Sequence, residues 1–135
     1  MDDTTLGILN AARKKIKAGW TQVYAARSKD NSCVDASSPE AVCWCSVGSI
    51  WSVLGLAGVV QSPDMEFRSD KEQNCFRALA SAIGFDGAAG RTRTDCFNII
   101  IQFNDADGRT QDEVLAVFDK AIIAEQDGYT EQGGA

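Results

Sequence analysis

The sequence predicts an all-α fold: a compact single-domain bundle of about five helices around a buried central helix. Apolar residues recur at intervals of three and four in several segments, and two capping boxes mark helix starts. The run from residue 41 to residue 60 carries no charged side chain, which is typical of an element buried on several faces. A length of 135 residues fits one domain, so we expect residues 1–135 to form a single helical domain with a frayed tail from about residue 127.

The first element is predicted to be an amphipathic helix over residues 4–18. Its apolar positions lie at helical spacing on one face, and Gly19 follows as a stop signal. These apolar positions include Leu6, Leu9, Ala12 and Ile16. The short aromatic segment 20–27 leads into the polar segment 28–38, which we interpret as a loop.

The central helix is predicted over residues 39–54. Ser38-Pro39-Glu40 offers a capping hydroxyl, a proline at the first helical position and an acidic group at the positive end of the helix dipole. The uncharged run 41–60 also has the length of a membrane span, which is the alternative. Three serines and three glycines interrupt the run, and the neighbouring amphipathic helices need an apolar partner, so the buried helix is favoured.

Three further helices are predicted in the second half of the chain. Capping boxes at residues 69–72 and 110–113 each place a hydroxyl at the N-cap and a glutamate three residues later. Between the two helices that they open, residues 86–90 are predicted to be a flexible connection and residues 96–103 a helix. The segment 96–103 has the β-branched content of a strand, but the polar residues in and beside it recur at a helical interval.

The composition excludes several kinds of enzyme. The chain has no histidine, so it contains no Ser-His-Asp or Cys-His catalytic set and no histidine ligand for zinc or haem. Its five cysteines are odd in number and irregularly spaced, and we expect them to be buried and reduced. Cys45 falls inside the predicted central helix with no base available, which argues against a nucleophile. No metal site and no cofactor are predicted.

The charges are unevenly distributed along the chain. Residues 1–30 carry six basic and three acidic groups, residues 104–135 carry eight acidic and two basic groups, and the net charge is −6. A nucleic-acid-binding domain normally has a basic excess, so nucleic acid is not expected to be the main ligand. The first residues lack the basic and apolar regions of a signal peptide, so we expect a cytoplasmic protein.

The segment 104–110 is the candidate binding site. Its acidic residues and Gly108 look like a calcium loop, but aligning this glycine places Phe103 and Val114 at positions that require carboxylates. The EF-hand interpretation therefore fails, and a turn between two helices is the simpler explanation. Polar groups nevertheless cluster at the mouth of an apolar helix pair. The predicted binding residues are Asn104, Asp105, Asp107 and Arg109.

The same segment is expected to be fixed by its own side chains. Thr110 is predicted to cap the last helix while Glu113 reaches back to the Thr110 backbone amide. Arg109 is expected to pair with a nearby acid such as Asp105 or Asp107, because few other bases lie in this part of the chain.

Three separate blocks of the chain form a recognisable pattern. They read W-T-Q at residues 20–22, C-x-x-G at residues 45–48 and N-D-x-x-G-R-T-x-x-E-V-L at residues 104–115. In this order, and over most of the chain, they resemble a family of small uncharacterised bacterial and phage proteins. The resemblance implies a small helical intracellular protein, often from phage or mobile genomes, with no assigned activity. The polar insert 28–38 departs from the pattern.

Two functions are consistent with these observations. The first is a non-enzymatic binding protein, such as a phage or mobile-element accessory that modulates a host protein or a defence system through an acidic surface. The alternative is a small carboxylate-dependent hydrolase or transferase built on Asp105, Asp107 and Arg109. The lack of the usual catalytic sets favours the first, with a host or phage protein as partner.

Overall fold

The structure is a computed structural model that describes the backbone of residues 4–56, 69–84 and 92–134, and side chains within these ranges up to residue 127. Its elements, in chain order, are α1 (Thr5–Ala18), β1 (Ala26–Ser28), β2 (Cys33–Val34), β3 (Ala41–Trp44), α2 (Ser46–Leu54), α3 (Asp70–Ile83), α4 (Arg93–Asp105) and α5 (Gln111–Gly134). The all-α prediction is wrong, because a three-stranded antiparallel sheet in the order β2-β1-β3 accompanies the helices.

The sheet occupies the region that the sequence assigns to loop and to the start of the central helix. Ala26 of β1 pairs with Val34 on one side and with Trp44 on the other. The residues of β3 include valine and tryptophan, which favour a half-buried pleated surface. The backbone of residues 19–21 continues the pairing on the far side of β3, since Thr21 N donates to Trp44 O at 3.1 Å and Trp44 N donates to Gly19 O at 3.0 Å.

The helix-start signal at Ser38-Pro39-Glu40 closes a turn instead of opening a helix. The Ser38 hydroxyl accepts a hydrogen bond from Glu40 N at 3.1 Å, and Ala41 N donates to Ser38 O at 3.1 Å. A serine side chain makes the same local bond in a turn as at an N-cap, so the sequence pattern fits both structures. The predicted helix over residues 39–54 is therefore wrong in its first half.

The central helix begins later and is shorter than predicted. Cys45 is the N-cap of α2, and Gly55, at φ 72°, ends the helix in the left-handed conformation. All residues from Ser46 to Trp51 are buried, so a buried helix is present, with nine residues. The first turn of α2 packs tightly against the residue that precedes β1. A Cβ atom on Gly48 would lie only 1.9 Å from Ala25 O, so only glycine fits there.

The other predicted helices are confirmed. Thr4 caps α1, which Gly19 follows, and Ser69 caps α3, which ends before Gly84. The segment 96–103 lies within α4 and is helical, as its polar interval indicates. The predicted flexible connection over residues 86–90 lies outside the described residues. Fraying from residue 127 stays a prediction, with helical backbone described to Gly134.

The core lies where α1, α2, α3, α4 and α5 pack on one another, with α1 against α2 and α5 and with α3 against α4 and α5. Its largest fully buried side chains are aromatic and aliphatic residues from all five of these helices. They include Phe76, Phe97, Phe118, Ile8, Leu9, Ile50, Leu79 and Ile100. No helix among the described residues is long and apolar enough to span a membrane.

A buried ion pair crosses this core. Arg93 Nε donates to Glu72 Oε1 at 2.8 Å, and the two side chains are 2% and 0% exposed. Trp51 Nε1 donates to the second carboxylate oxygen of Glu72 at 2.8 Å. The Arg93 guanidinium lies 5.4 to 5.8 Å from the ring centroids of Trp51, Phe76 and Phe97, a geometry in which cation–π attraction contributes. The pair therefore connects α2, α3 and α4.

Replacing Arg93 with leucine should destabilise the protein strongly, because the buried Glu72 carboxylate would lose the guanidinium that bonds to it at 2.8 Å. We expect the free energy of unfolding to fall by about 3 to 5 kcal/mol, measured by urea denaturation. The matched control is Arg13→Leu, whose partner Asp119 is half exposed and whose loss should cost under about 1 kcal/mol. Similar losses in the two variants would contradict a structural role for the buried pair.

Candidate functional site

Asn104, near the end of α4, is the centre of a polar cluster. Its side chain is fully buried, and its Oδ1 atom accepts three hydrogen bonds. The donors are Trp20 Nε1 at 2.9 Å, Ser46 N at 3.0 Å and the Ser46 hydroxyl at 2.8 Å. One carbonyl oxygen thus joins the segment after α1 to the first residue of α2.

The amide nitrogen of Asn104 completes the arrangement. Nδ2 donates to Thr21 O at 3.2 Å and to Asp105 Oδ1 at 2.9 Å. The carbonyl side of the amide therefore faces only donors, and the nitrogen side faces only acceptors. This arrangement fixes the orientation of the amide and satisfies its buried polar atoms.

Gln22 and Asp105 extend the cluster towards the surface. Gln22 Nε2 donates to two carbonyls at the end of α4, Asn104 O at 3.0 Å and Ala106 O at 3.1 Å. Carbonyls in the last turn of a helix lack intrahelical partners, so Gln22 acts as a C-terminal cap from a distant segment. Asp105 Oδ1 accepts a hydrogen bond from Val23 N at 2.9 Å.

These two anchors hold Val23 in an uncommon backbone conformation. Val23 has φ 78°, and Tyr24 N donates to Gln22 O at 3.0 Å, which closes a three-residue γ-turn with Val23 at its centre. A β-branched residue at positive φ is an outlier that costs free energy. The Val23 side chain is nonetheless 60% exposed, so it gains little from burial in this position.

Arg109 lies beside the cluster and bonds to groups other than Asp105 and Asp107. Its Nε donates to Phe103 O at 2.7 Å, and its guanidinium lies 3.7 Å from the Phe103 ring centroid. Its ion-pair partner is Glu113, at 3.3 Å, so the expected pairing with a nearby acid is confirmed, but the acid is neither Asp105 nor Asp107. Because the turn returns the chain towards α4, Arg109 faces the end of that helix instead of its acidic neighbours.

The predicted capping box at the start of α5 is confirmed. Glu113 N donates to the Thr110 hydroxyl at 3.2 Å, and Thr110 N donates to Glu113 Oε1 at 2.9 Å. The hydrogen bond from the Thr110 backbone amide, together with the Thr110 hydroxyl and the charge of Arg109, holds the pKa of Glu113 below its ordinary value of 4.5. Two helix-end donors are thereby satisfied at once.

Cys45 lies at the N-cap of α2, where its Sγ accepts a hydrogen bond from Gly48 N at 3.3 Å. A helix N-terminus favours a thiolate, but here burial raises the pKa of the thiol to about 12, with the negative charge of Asp105 adding to the effect. The group therefore stays protonated at neutral pH and serves as a cap. The sequence argues against a nucleophile on two other grounds, the lack of a histidine base and a position inside a helix. The second ground is wrong, because Cys45 is the N-cap of α2.

The other cysteines divide into two groups. Cys75 and Cys96 are buried as predicted, whereas Cys33 is exposed and Cys43 is half-buried on the sheet. The prediction of five buried thiols is therefore wrong at the two positions that belong to strands. Within the described ranges, no three acidic or sulfur side chains come together as a metal site.

A family model described as a family of unknown function (DUF6197) matches residues 1–124. The chain belongs to this family. The matched DUF6197 region includes α1, the sheet, α2 to α4 and the whole Asn104 cluster. No curated protein and no solved structure matches the chain.

The three sequence blocks at residues 20–22, 45–48 and 104–115 all lie within the DUF6197 region, and each contributes to the Asn104 cluster. Trp20, Ser46 and Asn104 belong to different blocks, and each contributes an atom to the same set of hydrogen bonds. Of the predicted site residues, Asn104 and Asp105 lie in the cluster and Arg109 lies next to it. Asp107 is exposed and bonds to none of the described side chains. The sequence misses Gln22 as a cap and the Glu72 ion pair, because both depend on contacts between distant segments.

Replacing Asn104 with alanine should destabilise the protein strongly. The change removes the partner of the part-buried Trp20 indole N–H, of two buried Ser46 donors and of the Thr21 carbonyl, so we expect a loss of about 3 kcal/mol or more in urea denaturation. The control Asn10→Ala removes one exposed bond to Leu6 O and should change stability by less than about 0.5 kcal/mol. A loss at Asn104 no larger than that at Asn10 would contradict the central role of this amide.

The stabilisation by Glu113 should depend on pH. Because its folded pKa is below the ordinary value, its contribution is fully present above pH 4.5 and is lost as the pH falls through the lowered folded value. The difference in unfolding free energy between the wild type and Glu113→Gln should therefore shrink in acid, measured by denaturation at a series of pH values. A difference that stays constant from neutral pH to strong acid would exclude the capping carboxylate as its source.

Proposed function

We propose that this protein is a non-enzymatic binding protein that docks on another protein through the Val23 turn, defined as residues 22–24. The observation that carries this proposal is the exposed apolar side chain of Val23 on a strained backbone. Residues held in sparsely populated backbone conformations cost about 1 to 3 kcal/mol and concentrate at functional sites. The strained conformation of Val23 does not bury its side chain, so we expect the strain to serve contact with a partner protein and not the stability of the fold.

The polar cluster explains how the strain is maintained. Asp105 holds the backbone amide of Val23, and the side chain of Gln22 is bonded to the end of α4. Two of the three residues of the turn, Gln22 and Val23, are thus attached to the end of α4, next to the buried Asn104 side chain. A binding group held in this way loses little conformational entropy when it meets a partner.

The residues beside Val23 suit a protein partner. Tyr24 follows directly, and the guanidinium of Arg27 lies 4.8 Å from the centroid of its ring. Tyrosine and arginine are enriched among the residues that contribute most to protein interfaces. We therefore infer a partner with a small apolar pocket for Val23 and polar groups around it.

The carboxylate enzyme has less support. Asp105 accepts hydrogen bonds from Val23 and Asn104, and Arg109 bonds to Phe103 and Glu113. Two of the three groups proposed for catalysis therefore already bond to the chain itself. In the binding proposal, Asp105 has a defined task, which is to position the Val23 turn.

The resemblance to small bacterial and phage proteins supports the rest of the proposal. On this basis the partner is a host or phage protein in the cytoplasm, and the protein acts as a phage or mobile-element accessory, for example on a defence system. An acidic chain with net charge −6 suits a protein partner better than nucleic acid.

Replacing Val23 with glycine separates the binding role from stability. Glycine adopts positive φ without strain, so Val23→Gly should stabilise the fold by about 1 kcal/mol or leave it unchanged, measured by thermal denaturation. The variant should lose the partner that the wild type captures from a lysate, measured by quantitative mass spectrometry. The control Ile123→Ala removes an aliphatic side chain that is 56% exposed on α5 and should keep that partner.

Two results would contradict the proposal. One is capture of the same proteins in the same amounts by the wild type and Val23→Gly. The other is an equal loss of partner from Val23→Gly and Ile123→Ala, because it would show a general response to removed apolar surface.

A further inference from the structure

The turn between α4 and α5 contains two aspartates in opposite surroundings. The Asp105 carboxylate is half-buried and accepts hydrogen bonds from Val23 N and Asn104 Nδ2, both at 2.9 Å. Asp107, two residues later, is exposed, and within the part of the chain that the structure describes no group bonds to its carboxylate. The Asp107 side chain is therefore free to change its rotamer.

Gly108, the residue after Asp107, has no side chain that could hinder contact between its backbone nitrogen and the Asp107 carboxyl group. Gly108 has φ 78°, and apart from its two chain neighbours no described residue has an atom within 4 Å of the place where a Cβ would stand. The turn is closed by Arg109 N, which donates to Ala106 O at 3.0 Å. Among the described residues no acceptor bonds to Gly108 N. An unbonded amide nitrogen thus directly follows an unbonded carboxyl group.

We propose that Asp107-Gly108 is a site of spontaneous isomerisation of aspartate to isoaspartate. The nitrogen of Gly108 attacks Cγ of the protonated Asp107 carboxyl group, a C–N bond forms, and the carboxyl hydroxyl leaves with the amide proton as water. The product is a cyclic imide in which Gly108 N is bonded to both carbonyl carbons of residue 107. Water then cleaves one of the two C–N bonds. Cleavage on the Cα side gives isoaspartate, and cleavage at Cγ restores aspartate, so the sequence of steps needs no oxidant and no further reactant.

Two other aspartates of the chain are less suited to this reaction. Asp105 is followed by Ala106, whose Cβ crowds the approach, and its carboxylate is already bonded. Asp127 is followed by Gly128, and both belong to α5, whose helical geometry engages the backbone amides. The contrast with Asp107 therefore requires that the helix persist past residue 127 and not fray there. Of the three aspartates that precede a glycine, Asp86 lies outside the described residues, and the structure distinguishes the other two, Asp107 and Asp127.

Isomerisation would lengthen the connection between two fixed points. In isoaspartate the Cβ atom of residue 107 becomes part of the main chain, so one additional carbon lies between the Asn104 cluster and the Thr110 capping box. Arg109 bonds back to Phe103 across this connection at 2.7 Å. A longer backbone should disturb that bond and lower the melting temperature of the modified protein.

The test is prolonged incubation of the full chain at neutral pH and physiological temperature, followed by peptide mapping with fragmentation that distinguishes isoaspartate from aspartate. In the folded protein, isoaspartate should accumulate several-fold faster at residue 107 than at residue 127, through an intermediate that has lost the mass of one water. In urea the two rates should become similar, because the helix that protects Asp127 is then absent.

Asp107→Glu is the matched control. It keeps the charge of an exposed side chain, so it should fold like the wild type, but its longer side chain closes the imide ring much less readily. The melting temperature of the wild type should fall further during incubation than that of Asp107→Glu. Equal accumulation at residues 107 and 127 in the folded protein, or an equal fall in melting temperature in both proteins, would overturn the proposal.

Discussion

The fold depends on one buried amide, the side chain of Asn104. Amide groups in a low-dielectric interior are costly when unpaired and rigid when fully paired, and this one has partners on both its oxygen and its nitrogen. Its partners come from the segment after α1 and from the first residue of α2. These groups lie in three distant parts of the chain, so the hydrogen bonds of Asn104 can form only when all three parts are in their native positions.

The buried ion pair complements this amide at the opposite end of α4. Arg93 is the first residue of α4 and bonds to Glu72, which in turn accepts a hydrogen bond from Trp51 of α2. Asn104, near the last residue of α4, bonds to Ser46 at the start of α2. The short uncharged helix is thus attached to α4 at both ends, in an antiparallel arrangement. Apolar packing alone would leave such a helix free to slide or rotate, whereas directional polar bonds fix its register.

Much of the helical structure can be predicted from local sequence, but the sheet cannot. The starts of α3 and α5 depend on hydrogen bonds within four residues, which a capping box specifies directly. Strand β3 lies in an uncharged run with no helical or alternating pattern, and its pairing depends on β1 and on residues 19–21. At the site, Asn104 and Asp105 can be identified because polar residues stand out beside an apolar helix. The true partners of Arg109 and Glu72 are set by tertiary geometry, on which local spacing carries no information.

The separation in sequence between Val23 and Asp105 has a consequence for synthesis of the protein. The hydrogen bond that holds the turn joins residues 82 positions apart, and those from Gln22 and Trp20 span 82 and 84 positions. Loop closure over such distances must precede these bonds, so they form late in folding. While the ribosome is still adding the first four helices, Val23 has no anchor for its strained conformation. Nascent or truncated chains that end before residue 105 therefore lack the hydrogen bond from Val23 N to Asp105, and we expect them to hold the turn less firmly than the complete chain.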